Sequence, residues 1–442
     1  MNGDFSRDTF DPLMHFSRVL MQQGRVNVDA DWNEQVSILL HHVRTLAADL
    51  IGPFGGLDTG FEIKPVTDAG GGVTDLMIGP GHYYVDGFLC ENPTDSTYSA
   101  QDGNPDAPLS LPGLVYLDIW ERHLTFLEQP SIREVALDGP DTASRARVIS
   151  QVRIETTPPE GESFADVKKN WSEWKNGWQW ENRGLLRARA QTGQPSTDVC
   201  IEPPESQYRG PENQLYRVEI HHGGLGSSDE GMARGATFKW SRENASVVFG
   251  IQSLTIDDAD SLTTVTLEEF GRDARLGVQV GDWVEILDED SVLRGDLGSL
   301  LQVREVDRSS RLLVLEGVAT VIPNPQADPD EWKNPLLRRW DHREEGNEPL
   351  EAGAVPIREG MWLDLEDGVQ IMFDADGDYR SADFWLIPAR VATGDVEWPS
   401  DATGAMPLPP RGIDHHYAPL AVIAADGTAT DLRTKIQPVS TP

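Results

Sequence analysis

The sequence predicts a mainly β protein built of several sandwich or small-barrel modules, with an N-terminal amphipathic helical segment and a Trp-rich insertion. Three observations lead there. The 442 residues include 41 glycines and 30 prolines, a density of punctuation that limits long helices and favours turn-rich β structure. Apolar residues fall mostly in short runs separated by turn signals. Only one stretch carries a sustained helical period.

That helix follows Asp31, whose carboxylate is placed to cap it, with Glu34 three residues on as in a capping box. Val36, Leu39, Leu40, Val43, Leu46, Ala47 and Leu50 form a broad apolar stripe, ended by Ile51-Gly52-Pro53. The stripe needs a cover, either the following β domain or its own copy in an oligomer. Upstream, Pro12–Gln22 reads as a short helix and Arg25–Val28 as extended chain.

From Gly60 the texture changes. Leu76–Cys90 reads as strand, turn and hairpin, with Asp86-Gly87 suited to a tight two-residue turn. Gly113–Arg122 and Ala146–Glu155 add two strands. Residues 156–210 break the rhythm with Trp171, Trp174, Trp178 and Trp180. Strand patterns resume at Gln214 and Ala236, and five closely spaced runs starting at Leu254, Leu262, Asp282, Leu300 and Arg311 suggest a small barrel. Residues 323–350, rich in proline and charge, read as a surface connection before the last strands at Met361, Val369, Asp383 and Pro419. The resulting partition is 1–59 as a helical assembly segment, 60–155 as a first β domain, 156–210 as the insertion, and 211–442 as a second β domain with the barrel nested at about 245–322.

With 37 Lys and Arg against 73 Asp and Glu, the formal charge is −36. Nucleic-acid binding needs a basic face that releases counterions, and an electrostatic grip on anionic lipid needs the same sign. Both are disfavoured. No run approaches the length of a membrane span and no signal peptide is evident at Met1, so a soluble product of cytoplasmic assembly is expected. Cys90 and Cys200 form no CxxC and read as buried thiols.

No catalytic, metal or cofactor site is expected. Asp374-Ala-Asp-Gly-Asp looks like a calcium loop, but the sixth and twelfth positions hold Tyr379 and Trp385 instead of Gly and Glu, so a hairpin turn is favoured. The adjacent pairs His221-His222 and His415-His416 point to opposite faces of a strand, and His41-His42 on the helix have no His or carboxylate at i+4, so none of the three pairs reads as a metal site. Asp118 and Glu121 could form an acid pair, although 73 acids make such coincidences common. No nucleophile elbow or P-loop occurs. The spacing of Trp171, Trp174 and Trp178 puts them on one helical face, as a core plug or, with Trp180, as a platform for glycan rings.

Several longer strings carry a resemblance. Phe5–Asp11, His15–Val26, Asp29–Gln35, Asp118–Arg122, Asn213–His221, Thr237–Arg242, Leu337–Asp341, Phe384–Arg390 and His415–Leu420 resemble an uncharacterised bacterial family associated with phage-tail-like contractile injection gene clusters. Gly24–Gln35 and Pro80–Gly87 are also similar to strings in tail-fibre and baseplate-attachment proteins. The resemblance implies a structural component, a baseplate or tail-exterior adaptor that self-assembles, contacts baseplate, sheath or fibre subunits, and is released as part of an extracellular particle. Arg25, Asp31, Trp32, Asn33, Glu34, Gln35, Leu39, Val43 and Leu46 are then the candidates for docking and assembly. A surface glycan-binding module is the alternative, and a glycan-cleaving enzyme a more distant one.

Overall fold

A computed structural model describes residues 1–103, 109–178, 184–191, 207–226, 235–271, 273, 275–320, 332–344 and 349–437. It is mainly β, with one long helix near the start. The chain forms two compact units, each discontinuous in sequence: 8–124 with 145–181 and 413–442, and 1–7 with 125–144 and 182–412.

In the first unit the strand Gly113–Leu124 is central, with its first eight residues buried in succession. A strand buried on both faces loses the polar alternation of a half-exposed one. It pairs antiparallel with Arg145–Glu155 on one side and His416–Ile423 on the other, and Ala429–Asp431 completes the sheet. Thus the strand near Pro419, grouped by sequence with 211–442, belongs to this sheet. Two three-stranded sheets supply the facing side chains, and Leu76, Tyr83, Val85, Cys90, Leu117, Ile119, Leu420 and Ile423 form the shared core. The hairpin turn is as the sequence predicts: Asp86 and Gly87 have φ of 46° and 83°, a left-handed pair that joins Gly81–Val85 to Phe88–Asn92.

The second unit holds a five-stranded sheet with Gln214–Ile220 at its centre, flanked by Thr237–Ser241 and Phe384–Arg390. Beside it is a closed six-stranded barrel. Five strands match the expected runs: Val248–Asp257, Leu262–Leu267, Trp283–Leu287, Ser299–Asp307 and Leu312–Glu316. The sixth, Leu336–Trp340, falls where the sequence reads as surface connection, and it closes the barrel by pairing with both Val248–Asp257 and Trp283–Leu287. Its two arginines hide its character. Arg339 is buried all the same, because its guanidinium reaches the carboxylate of Asp341 at 3.2 Å and the carbonyl oxygen of Gly277 at 2.6 Å.

The long helix runs Asp29–Ile51. It begins two residues before the expected cap: Val28 is the N-cap, no side chain caps the helix, and Asp31 lies in the first turn. The expected capping box is absent because Glu34 accepts from Thr9 Oγ1 at 2.5 Å. Of the helix expected at Pro12–Gln22 only the 3₁₀ turn Pro12–Met14 forms, capped by Asp11. The insertion divides between the units, with the short helix Trp171–Asn176 in the first and the strand Leu186–Ala190 in the second.

Candidate assembly surface and buried charge cluster

The helix Asp29–Ile51 touches the first unit along one side. Ile38 is buried, Ala30 with it, and Ser37, Ala48 and Ile51 are half-buried on the same flank. Arg44 makes a bidentate pair with Glu121, at 2.8 and 3.1 Å, while its guanidinium stacks over Phe88 at 3.8 Å. Gly87 lets the backbones close in: a Cβ there would stand 2.1 Å from the carbonyl oxygen of Arg44.

The apolar stripe occupies the other side. Leu39, Val43 and Leu46 are 54%, 62% and 59% exposed, and Val36, Leu40 and Leu50 are exposed beside them. Both faces carry apolar residues, but the stripe lies more than a quarter-turn round the helix from Ile38, so the flank that meets the β hairpin is the one with small residues and Arg44. Of the two covers expected for the stripe, the described residues of the β domain supply only a partial one: Ala47 is half-buried, and the leucines and valines stay 39–78% exposed. The chain before the helix adds Leu13, Met14, Phe16, Leu20, Met21, Val26 and, in the first turn, Trp32 to the exposed apolar surface. Isolated exposed leucines are ordinary, whereas a continuous apolar run marks an interaction site.

The polar candidates divide. Arg25 and Asn33 are exposed, and Asp31 is half-buried. Glu34 and Gln35 face inward to the arm: besides the Thr9 bond, Gln35 Oε1 accepts from the backbone N–H of Val19 at 2.9 Å. Their role is to hold the arm against the helix.

Three of the four tryptophans pack in or against the core. Trp174 is buried with Leu114, Val167 and Leu432, while Trp171 and Trp178 pack against this cluster half-buried. Trp178 stacks on Tyr116 with ring centroids 4.0 Å apart. A sugar platform needs an open ring face, and Trp174 offers none. Trp180 lies outside the described residues.

The remaining candidates have structural partners. Asp118 and Glu121 are not paired with one another: Asp118 accepts from His415 at 2.7 Å and forms an ion pair with Arg153 at 3.0 Å, and Glu121 holds Arg44. His416 bonds Asp86 at 3.0 Å. Asp374 binds Arg187 at 2.7 and 3.0 Å, and the backbone N–H groups of Asp376 and Gly377 donate to Glu359. The calcium-like string is a turn, but not the expected hairpin, because Val369–Phe373 before it and Asp378–Tyr379 after it pair in different sheets. Among the described residues no three His, Cys, Asp or Glu side chains converge as a metal site. Also among them, no helix is long and apolar enough to cross a membrane. Cys90 is buried, which pushes its thiol up to about 12; Cys200 lies outside the described residues.

Sequence reasoning missed a charge cluster inside the second unit. Arg217 and Glu219 share a face of the central strand, and Lys239 opposes Glu219 on the neighbouring strand. Lys239 Nζ lies 2.7 Å from Glu285 of the barrel and 3.3 Å from Glu219, over the ring of Trp340 at 4.4 Å. Trp340 Nε1 donates to the second oxygen of Glu285 at 2.9 Å, and Arg217 bonds Glu219 at 2.6 Å. Burial opposes ionisation of Glu219 and Glu285, but Arg217 and Lys239 outweigh it for the first and Lys239 with Arg338 for the second. Both carboxyls are held below their ordinary range. The available signal was Arg217 and Glu219 alternating with Tyr216, Val218 and Ile220 within one strand.

The fold and surface define a mainly β protein with an outward apolar helix and arm. The chain belongs to the family of unknown function DUF6519, whose pattern it matches over residues 1–174 and 182–441. No curated protein and no solved structure matches it.

Proposed function

We propose that this chain is a self-assembling structural subunit of a phage-tail-like, contractile injection particle, an adaptor of the baseplate or tail exterior that presents its β modules. The observation that carries the reading is the apolar face of Asp29–Ile51, left open by the module it grows from. With its apolar side left this exposed among the described residues, the helix offers half of an interface. Each Leu or Val side chain it buries contributes about 1.5–3 kcal/mol to association. The occupant is a second copy, since the stripe carries no charge to select a different partner and the strongly negative surface around it disfavours unspecific contacts. The particle itself is argued from the family resemblance of the sequence strings, with baseplate, sheath or fibre subunits as its neighbours there.

Light scattering on the full chain should give a multiple of 48.9 kDa. The triple variant Leu39→Glu, Val43→Glu, Leu46→Glu should give the single-chain mass with an unchanged far-UV spectrum. A wild-type chain that stays monomeric at tens of micromolar overturns self-assembly. Immunogold labelling of purified particles from the producing cell tests the location: gold at the baseplate or tail exterior is expected, and particles without label overturn the particle assignment.

A further inference from the structure

The segment Met1–Arg7 belongs to the second unit, although the chain from Asp8 onward belongs to the first. It sits in a built seat. The backbone N–H of Gly3 donates to the carbonyl oxygen of Asn244 at 3.2 Å. In return, Asn244 Nδ2 donates to the carbonyl oxygens of Gly3, at 2.9 Å, and of Met1, at 3.2 Å. Asn244 is fully buried, in the left-handed conformation that Asn tolerates well (φ 48°), and its Oδ1 accepts from Arg217 at 3.4 Å. Further along, Arg390 donates to the Ser6 carbonyl oxygen at 2.9 Å, and Arg7 pairs with Glu397 at 3.3 Å. The seat therefore reads backbone geometry at one end and charge at the other.

We propose that this strap is exchanged between copies: Met1–Arg7 of one chain occupies the Asn244, Arg390 and Glu397 seat of a second copy in the assembly. The occupant is defined because the seat already fits this segment, and a trans strap makes the same hydrogen bonds to the seat as a cis one, so exchange loses none of the seat's contacts. The linker between strap and helix is suited to it. Asp8–Val28 is 21 residues with a single 3₁₀ turn, pinned to the helix by the Thr9–Glu34 and Val19–Gln35 hydrogen bonds; with those two released and the chain fully extended it reaches about 70 Å. Residues 11–29 are exposed apart from half-buried Val19, and among them are Leu13, Phe16, Leu20 and Met21, which an adjacent copy would cover. Copies joined through the helix stripe raise the effective concentration of strap around the neighbouring seat. The inference rests on that self-assembly.

The test uses two tagged full-length versions produced together, one carrying Phe5→p-benzoylphenylalanine and the other unsubstituted. After illumination, exchange predicts a covalent product of twice the 48.9 kDa chain mass, containing both tags and joined near Asn244. A product of single-chain mass, cross-linked only to its own Asn244 region while light scattering still shows an oligomer, overturns exchange and leaves helix-driven assembly standing. Monomers by scattering overturn both. In the Asn244→Leu partner, which removes the side-chain clamp, the two-chain product at that seat should fall at least tenfold, with the oligomer mass unchanged; an undiminished yield overturns the seat.

Discussion

Lys239 is 3% exposed and lies between two carboxylates, so its value to the protein lies in what its removal would leave. Lys239→Met would leave Glu285 buried without its ion-pair partner, while Glu219 keeps Arg217. The expected loss is about 3–5 kcal/mol, read as a lower denaturant midpoint for the second unit. Replacing Lys239 and Glu285 together by apolar residues, with Arg217 and Glu219 kept as a pair, should cost far less, since it is the unpaired charge that is unfavourable. A second group of carboxyls gives a pH signature. Burial, then Asp4 and Asp341, raises Glu243 to about 7, against Arg339 and Arg242. Burial likewise raises Glu366 to about 7, against Arg242. A carboxyl whose folded pKa is raised contributes stability that is complete below its unfolded value near 4.5 and lost as pH rises through about 7. His342, lowered to about 4 by burial, acts oppositely, losing stability as pH falls from its ordinary value. Glu243→Gln with Glu366→Gln should therefore flatten the decline between about pH 4.5 and 7, measured as melting temperature, and leave the acid limb unchanged.

At the scale of elements, the long helix is held by a few specific contacts rather than by its leucines. Gly87→Ala would put a methyl group against the Arg44 carbonyl oxygen and force a left-handed φ of 83° on a residue with a side chain. A destabilisation of about 1–3 kcal/mol is expected, with faster hydrogen exchange confined to Asp29–Ile51 and the hairpin. Unchanged exchange in the helix would show that the close approach does not hold it. The short helix Trp171–Asn176 acts as a plug: Trp174→Ala should cost about 3–5 kcal/mol by leaving a cavity among Leu114, Val167 and Leu432. Strand identity was legible wherever apolar alternation was clean, as in Val284 and Ile286. It was illegible at Leu336–Trp340, where Arg338 and Arg339 resemble a solvated connection until their partners are in place. The helix was legible from its period, but its packed side was not, because Ile38, Ala48 and Arg44 give a weaker pattern than the leucines opposite them.

For the whole molecule, the charge of −36 and the open apolar stripe act against each other. Like-charged copies repel, and salt weakens the repulsion without touching apolar burial. Raising ionic strength from about 0.01 M to about 0.1 M shortens the screening length from about 30 Å to about 10 Å. Self-association should tighten over that range, seen as a shift to the oligomer in sedimentation at fixed protein concentration. Weaker association in salt would point to an interface held by ion pairs instead of the stripe.

Local chemistry decided the composition of the modules: short apolar runs between glycine and proline turns make strands, Asp86-Gly87 makes a hairpin, and one 3.6-residue period makes one helix. These depend on neighbours within a few residues, so the order of amino acids suffices. Tertiary structure decided what joins what. The strand at His416–Ile423 pairs with Gly113–Leu124 across some three hundred residues, Leu336–Trp340 closes the barrel, Lys239 meets Glu285, and the strap at Gly3 meets Asn244. Each of these is a match between distant surfaces, favourable only once both are formed. The leucine stripe shows the division best: its apolar character is written locally, and its exposure follows only from where the β hairpin and Arg44 take hold of the helix.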